Sequence, residues 1–166
     1  MAVYTETGIT IDLRDFPHCR LKDCEQHKEL SHYFFKEADF MWWNPQEECI
    51  YISDFKDLSR MTKREDIEKL VPNLVEKSVH MLTVLASAWL GCEGGRPYRD
   101  FFPEPFRTRQ KIKITHVVNC PPEFNASFGF VNNKFQSRFY AFKFLFDVEE
   151  ALVLNIEIAR RYLPVQ

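Results

Sequence analysis

From its amino terminus the chain first alternates apolar and polar side chains. Residues 8–16 put Ile9, Ile11 and Leu13 on one side, the two-residue period of a strand. Residues 23–35 fit a short helix with Asp23 as N-cap, a twisted strand being the other reading of that stretch. Two apolar runs follow, 38–43 and 49–56, joined by Asn44-Pro45-Gln46-Glu47, which has turn chemistry. Together they predict a β-hairpin.

Residues 65–90 hold the clearest helical pattern. Ile67, Leu70, Val71, Leu74, Ser78, Leu82, Leu85 and Trp89 recur at the spacing of one buried face. Proline is tolerated only in a first turn, so Pro72 predicts a short helix and then a long one over 72–90. Gly91 and Gly94-Gly95 end it. The segment 96–106, RPYRDFFPEPF, reads as a proline-rich aromatic loop. Residues 109–119 read as a strand with Ile112, Ile114 and His116 on one side, stopped by Pro121-Pro122. Two further β-like stretches are expected at 126–131 and 137–146. Val148, Ala151, Leu152, Asn155, Ile158, Ala159, Tyr162 and Leu163 then predict a closing amphipathic helix.

Composition adds bounds. A chain of 166 residues, 45% hydrophobic and 28% charged, fits one α/β domain spanning 1–166. The sixteen Phe residues enlarge a core or leave a sticky partner surface. A net charge of −2 excludes a polybasic coat, so nucleic-acid contact would need a local stripe. Arg107, Arg109, Lys111 and Lys113 alternate and share a face, which suits a phosphate backbone and equally a solvated strand. No run approaches the roughly 20 apolar residues of a membrane span, and MAVYTETGITIDLRDF lacks the pattern of a secretory signal. With five cysteines, an odd number, free thiols in a reducing cytoplasm are the expectation. His18, Cys19, Cys24 and His27 could supply four zinc ligands, but their spacing matches no familiar zinc pair, and buried or loop cysteines are the plainer account.

The hairpin carries the chemistry. With the turn centred between Gln46 and Glu47, Asp39 lies across from Asp54, Cβ atoms about 4.5–5.5 Å apart on one face. A slip of two residues keeps both on that face, and the pleat adds Lys56. Two acids so close repel unless a cation sits between them. Mg²⁺ (or Mn²⁺) suits such a place, taking one or two carboxylates and keeping waters. The Phe55 carbonyl is a natural further oxygen ligand. A lysine beside a metal-bound water can orient or deprotonate it. The chemistry such a set predicts is metal-assisted phosphodiester hydrolysis. The bland alternative is an exposed Asp–Lys cross-strand pair, worth under ~1 kcal/mol. Against it, both acids end strongly apolar strands, where a buried acid needs a partner.

The pattern Asp39 … Asp54-Phe55-Lys56 on a hairpin, followed by a helix and another strand, resembles the PD-(D/E)XK nuclease superfamily over residues 23–119. The resemblance implies a mixed central β-sheet flanked by helices, with a restriction-endonuclease-like α-β-β-β-α-β core and extra C-terminal strands and helix. It implies metal-dependent cleavage of nucleic acid, DNA by family habit, and leaves room for a homodimer. Asp39 matches the lone acid, Asp54 the acid of the triplet and Lys56 its lysine. Ala38 replaces the common proline. For the acid often supplied by the preceding helix, Glu25 and Glu29 are both candidates. Two other readings stand beside cleavage: a binding or scaffolding module of the same fold, and an interaction domain with a Phe-rich surface. Trp42, Trp43 and Trp89 read as core, His80 and His116 as structural, and Asp57 as a turn residue on the opposite face.

Overall fold

The computed structural model describes residues 2–63 and 65–166. It opens with a hairpin of β1 (Val3–Glu6) and β2 (Ile9–Asp12). Thr7 and Gly8 turn it, both at positive φ, the geometry of a tight two-residue hairpin turn. Then follow β3 (His18–Cys19), α1 (Glu25–Ser31), β4 (Phe40–Asn44) and β5 (Cys49–Asp57). Next come α2 (Glu65–Glu68), α3 (Val71–Leu90), α4 (Arg96–Phe101) and β6 (Lys111–Asn119). The chain ends with α5 (Phe128–Leu145), β7 (Val148–Asn155) and α6 (Ile156–Tyr162).

Strands β3 to β7 form one mixed sheet in chain order. Its first two pairings are antiparallel and its last two parallel. Parallel neighbours need a crossover, which α2–α4 and then α5 provide. The sheet is covered on both sides. Ile50, Ile52, Ile112 and Ile114 face Leu74, Leu82, Leu85, Phe135 and Phe139 of the long helices. Tyr51, Phe55 and Val117 face Ile9, Ile11 and Leu13 of the small hairpin and Ala159 of α6. Two covered faces explain why β5 is buried without a break from Cys49 to Phe55. Among the described residues no helix is long and apolar enough to cross a membrane.

The 38–56 hairpin and the 72–90 helix form as the pattern predicts. Pro72 sits in the first turn of α3, and Gly91 closes it in the left-handed region at φ 67. Five expectations need correcting. Asp23 lies in a 3₁₀ turn, and Cys24 precedes α1 without a side-chain cap. The 96–106 segment is no plain loop: it contains α4, and Tyr98, Phe102 and Phe106 are buried against α3. Gly95 permits this approach, because a Cβ there would stand 2.0 Å from the Ser87 carbonyl oxygen.

The stretches 126–131 and 137–146 are not strands but belong mainly to α5. Phe128, Val131, Phe135 and Phe139 form its buried face, while exposed Phe130 and Phe144 on other faces blur the helical period. The closing helix is half strand, since 148–155 is β7 and only Ile156–Tyr162 is helical. A register shift sets Ile112 against Val148 and Lys113 against Glu150, leaving Glu149 as an extra residue. That bulge gives β7 the buried spacing Val148, Ala151, Val153, Asn155, which imitates a helix at its start. Asn155 caps α6, its side-chain oxygen accepting the Ile158 N–H at 2.8 Å. Finally, α1 is followed by two strands before α3, because the third antiparallel strand, β3, precedes α1.

Candidate active site

The β4–β5 ladder pairs Phe40 with Ser53, Trp42 with Tyr51 and Asn44 with Cys49. Each pair is centred between Gln46 and Glu47, and the same register continues to Asp39 against Asp54. Asn44 Oδ1 accepts the Gln46 N–H at 3.0 Å inside the turn, and Glu48 takes the left-handed conformation that closes it. Asp39 stands one residue before β4. Its Oδ2 accepts the Phe55 N–H at 2.7 Å, filling a rung that the end of β4 leaves open. In an extended strand a residue's N–H and C=O point to the same side, so the Phe55 carbonyl also faces the Asp39 side.

Asp54 is fully buried, and side chains from α3, β5 and β6 converge on it. From α3, Lys77 brings Nζ to 2.5 Å from Oδ1. Lys56, two residues along β5, has Nζ at 3.7 Å from the same oxygen. His116, its ladder partner on β6, holds Nδ1 at 3.5 Å from Oδ2. That is too long for a hydrogen bond, and among the described residues neither atom has a hydrogen-bond partner. The far side of the ring is fixed: His116 Nε2 lies 2.9 Å from Ser78 Oγ, which donates to the Leu74 carbonyl at 2.8 Å.

The electrostatics separate the two acids. Burial, then the field of Asp54, raises the Asp39 carboxyl to about 6. Burial also works against an ionised Asp54, but His116, Lys77 and Lys56 overcome it and hold that carboxyl below the usual range. The lysines divide likewise. Burial depresses the Lys56 ammonium despite Asp54, whereas the carboxylates and hydrogen bonding overcome burial at Lys77 and raise it. Lys77 is therefore the fixed counter-charge and Lys56 the more readily deprotonated amine.

Asp39 and Lys77 open onto a cleft of about 350 Å³, walled also by Lys22, Phe34, Lys36 and Glu37. Glu25 and Glu29 are exposed on α1 and do not line it. The additional carboxylate that does is Glu37, 3.0 Å from His27 Nε2. Lys77, His116 and Glu37 are the site residues that pattern reasoning misses. The trace of one of them in the sequence is the polar run Glu76-Lys77-Ser78, where Lys77 adjoins Ser78 of the buried stripe of the longest helix.

The basic residues before and within β6 go elsewhere. The pleat turns Lys111 and Lys113 away from the face that carries His116. Lys113 pairs with Glu47, Arg109 with Asp147 at 3.2 Å, and Arg107 Nε donates to the Phe102 carbonyl at 2.8 Å. They do not adjoin the Asp54 cluster as one open stripe. His18 lies between Tyr4 and Phe16, and His27 between Tyr98 and Glu37, so they do not meet Cys19 and Cys24 around a common point. All five cysteines are free thiols. Trp42 is core, its Nε1 donating to Ser53 Oγ at 3.0 Å. Asp57 accepts the Ser59 N–H and the Asn119 amide, the work of a turn residue.

Among the described residues no group of three or more His, Cys, Asp or Glu could hold a metal ion. The donors beside the hairpin are the oxygens of Asp39, Asp54 and the Phe55 carbonyl, with His116 Nδ1 next to Asp54. Such a set is too hard and too small for a closed zinc site. Carboxylates and carbonyls are the kind of donors Mg²⁺ takes, one or two carboxylates with retained waters. The unpartnered Oδ2 of Asp54 is the atom with capacity to spare. Comparison with protein-family models, with curated proteins and with solved structures finds no match to this chain.

Proposed function

We propose that the chain hydrolyses phosphodiester bonds in nucleic acid with a divalent metal, using Asp39, Asp54 and Lys56 as the PD-(D/E)XK resemblance implies. The observation that supports this reading is the register: carried one residue beyond β4, it puts Asp39 opposite the wholly buried Asp54 of β5, with the Lys56 amine on the same face. Asp39, Asp54 and the Phe55 carbonyl would hold Mg²⁺ or Mn²⁺. The ion would supply Lewis-acid polarisation and a more acidic water. Asp54 is ionised before any ion arrives. Asp39, raised to about 6, ionises near neutrality. Lys56, its ammonium depressed by burial, is suited to hold or pass a proton beside the attacking water. Lys77 stays charged and fixes the orientation of Asp54. DNA is the substrate the resemblance favours.

One observation favours a second reading. Lys77 already neutralises Asp54 from 2.5 Å, so the fold tolerates the acid without a cation. A binding module that has lost cleavage would keep the same contact. Calorimetric titration with Mg²⁺ and Mn²⁺, with cleavage assays on single- and double-stranded DNA and RNA, separates the two. The wild type is expected to bind the ion and cut, and Asp54→Asn to do neither. Lys56→Ala is expected to bind the ion and cut roughly 100-fold more slowly. Nucleic-acid binding without turnover in either metal selects the second reading. Cutting that survives both substitutions puts the chemistry elsewhere.

A further inference from the structure

The segment between α1 and β4 forms one wall of the cleft and is pinned from behind by α3. The Phe35 ring stacks on His80 with centroids 4.2 Å apart and planes 16° from parallel. The Lys36 N–H donates to His80 Nδ1 at 2.8 Å, and Lys36 Nζ pairs with Glu76 at 2.7 Å. Just before these anchors Phe34 has φ 61 and its side chain stands out into solvent, 86% exposed. A bulky side chain rarely adopts that backbone, which suits glycine or asparagine. The ring gains almost nothing from burial in return. A strained, exposed aromatic beside an acid–amine cluster is therefore unexplained by the stability of the free chain.

We infer that Phe34 is a stacking platform for an unpaired base of a polynucleotide whose phosphates pass Lys22 and Lys36 on the way to Lys77 and Asp39. This rests on the proposed function for the class of ligand, and adds that the bound form is single-stranded or has a base swung out. A base offers its π face only when it is unstacked from its own neighbours, which a closed duplex does not allow. Positive charge for the backbone comes from Lys22 and Lys36, which stand on the same wall as the acids Glu37 and Asp39. Lys22 and Lys36 line the cleft at 42% and 40% side-chain exposure, tied to Glu6 and Glu76 by surface pairs that exchange readily for phosphate. Tyr33, 81% exposed, extends the aromatic surface by one residue.

The test uses the full chain in EDTA, so that binding is read without cleavage. Labelled oligonucleotides of roughly 12 nucleotides are compared by anisotropy: single-stranded DNA, single-stranded RNA, a blunt duplex, and an abasic strand with the same phosphates. Wild type is expected to prefer the base-bearing single strands over the duplex and the abasic strand by about tenfold or more. Phe34→Gly should lose about that factor on the base-bearing strands and nothing on the abasic one, while Phe34→Trp keeps the preference. Glycine accepts the left-handed backbone without strain, so the thermal midpoint should hold or rise, which separates lost stacking from lost folding. Equal binding of base-bearing strands by wild type and Phe34→Gly overturns the platform, as does an equal loss on the abasic strand. If the wild type cuts in Mg²⁺ yet shows no dependence on Phe34, the platform fails and hydrolysis stands. If Phe34 governs single-strand binding yet nothing is cut, hydrolysis fails and the platform stands.

Discussion

Asp54→Asn is expected to destabilise the metal-free protein by about 3 kcal/mol at pH 7, measured by urea unfolding. Truncating one partner of a buried ion pair leaves the other charge uncompensated, which typically costs 3–5 kcal/mol. The lower end applies because the amide oxygen can still accept one hydrogen bond from Lys77. That lysine is only 12% exposed and has Asp54 as its nearest anion, and His116 Nδ1 would lose the carboxylate it faces. The double substitution Asp54→Asn with Lys77→Met should recover part of the loss, because the stranded charge is removed with its partner. A naive count of two opposed acids predicts the reverse, namely that neutralising either one relieves repulsion. At Asp54 three cationic or polar partners outweigh the repulsion. Stability of Asp54→Asn at or above wild type would show that the Lys77 contact does not form in solution.

Asp39→Asn is expected to change stability in the opposite direction. The Asp39 carboxyl keeps its proton in the folded state up to about 6, whereas the unfolded chain releases it near 3.8. Between those values the native state binds more protons. Wild-type stability should therefore be highest below about pH 4 as far as this group is concerned. It should fall as pH rises through that window and stay lower above it. Asparagine cannot ionise, and its oxygen can still accept the Phe55 N–H. The variant should match wild type near pH 4 and exceed it by roughly 2 kcal/mol at pH 8, a figure discounted for the partial exposure of Asp39. Adding Mg²⁺ should raise the wild-type midpoint and leave Asp39→Asn nearly unmoved. Parallel pH profiles for the two proteins would remove Asp39 as the frustrated group.

What the sequence made legible is the local part of this site. Asp39, Asp54 and Lys56 lie on one hairpin, so a correctly centred turn is enough to bring them together. Lys77 and His116 are 23 and 62 residues from Asp54 along the chain. Their arrival depends on how α3 crosses the sheet and on β6 pairing in parallel with β5, and no local pattern states either. His116 was readable to the extent of its face, since it follows Ile112 and Ile114 at intervals of two. The misreadings at the C-terminal end have two separate causes. In α5, aromatic side chains occupy exposed as well as buried positions, so the 3.6-residue period is diluted and β propensity looks strong. In β7 a single inserted residue, Glu149, breaks the two-residue alternation on which strand recognition depends.

That inserted residue has a further consequence, for how molecules of this protein meet one another. The rim of a sheet is an open row of backbone donors and acceptors on which a foreign strand can grow. At one rim here the last strand, β3, is only two residues long, too short to template much. At the other, Glu149 kinks β7 and leaves two exposed carboxylates in a row with Glu150. Farther along, Asn132 of α5 accepts the Val153 N–H at 2.9 Å, removing one of the donors a newcomer would use. Between those rims lie β4, β5 and β6, buried over most of their length. The bulge and the asparagine thus act as gatekeepers against runaway β-association.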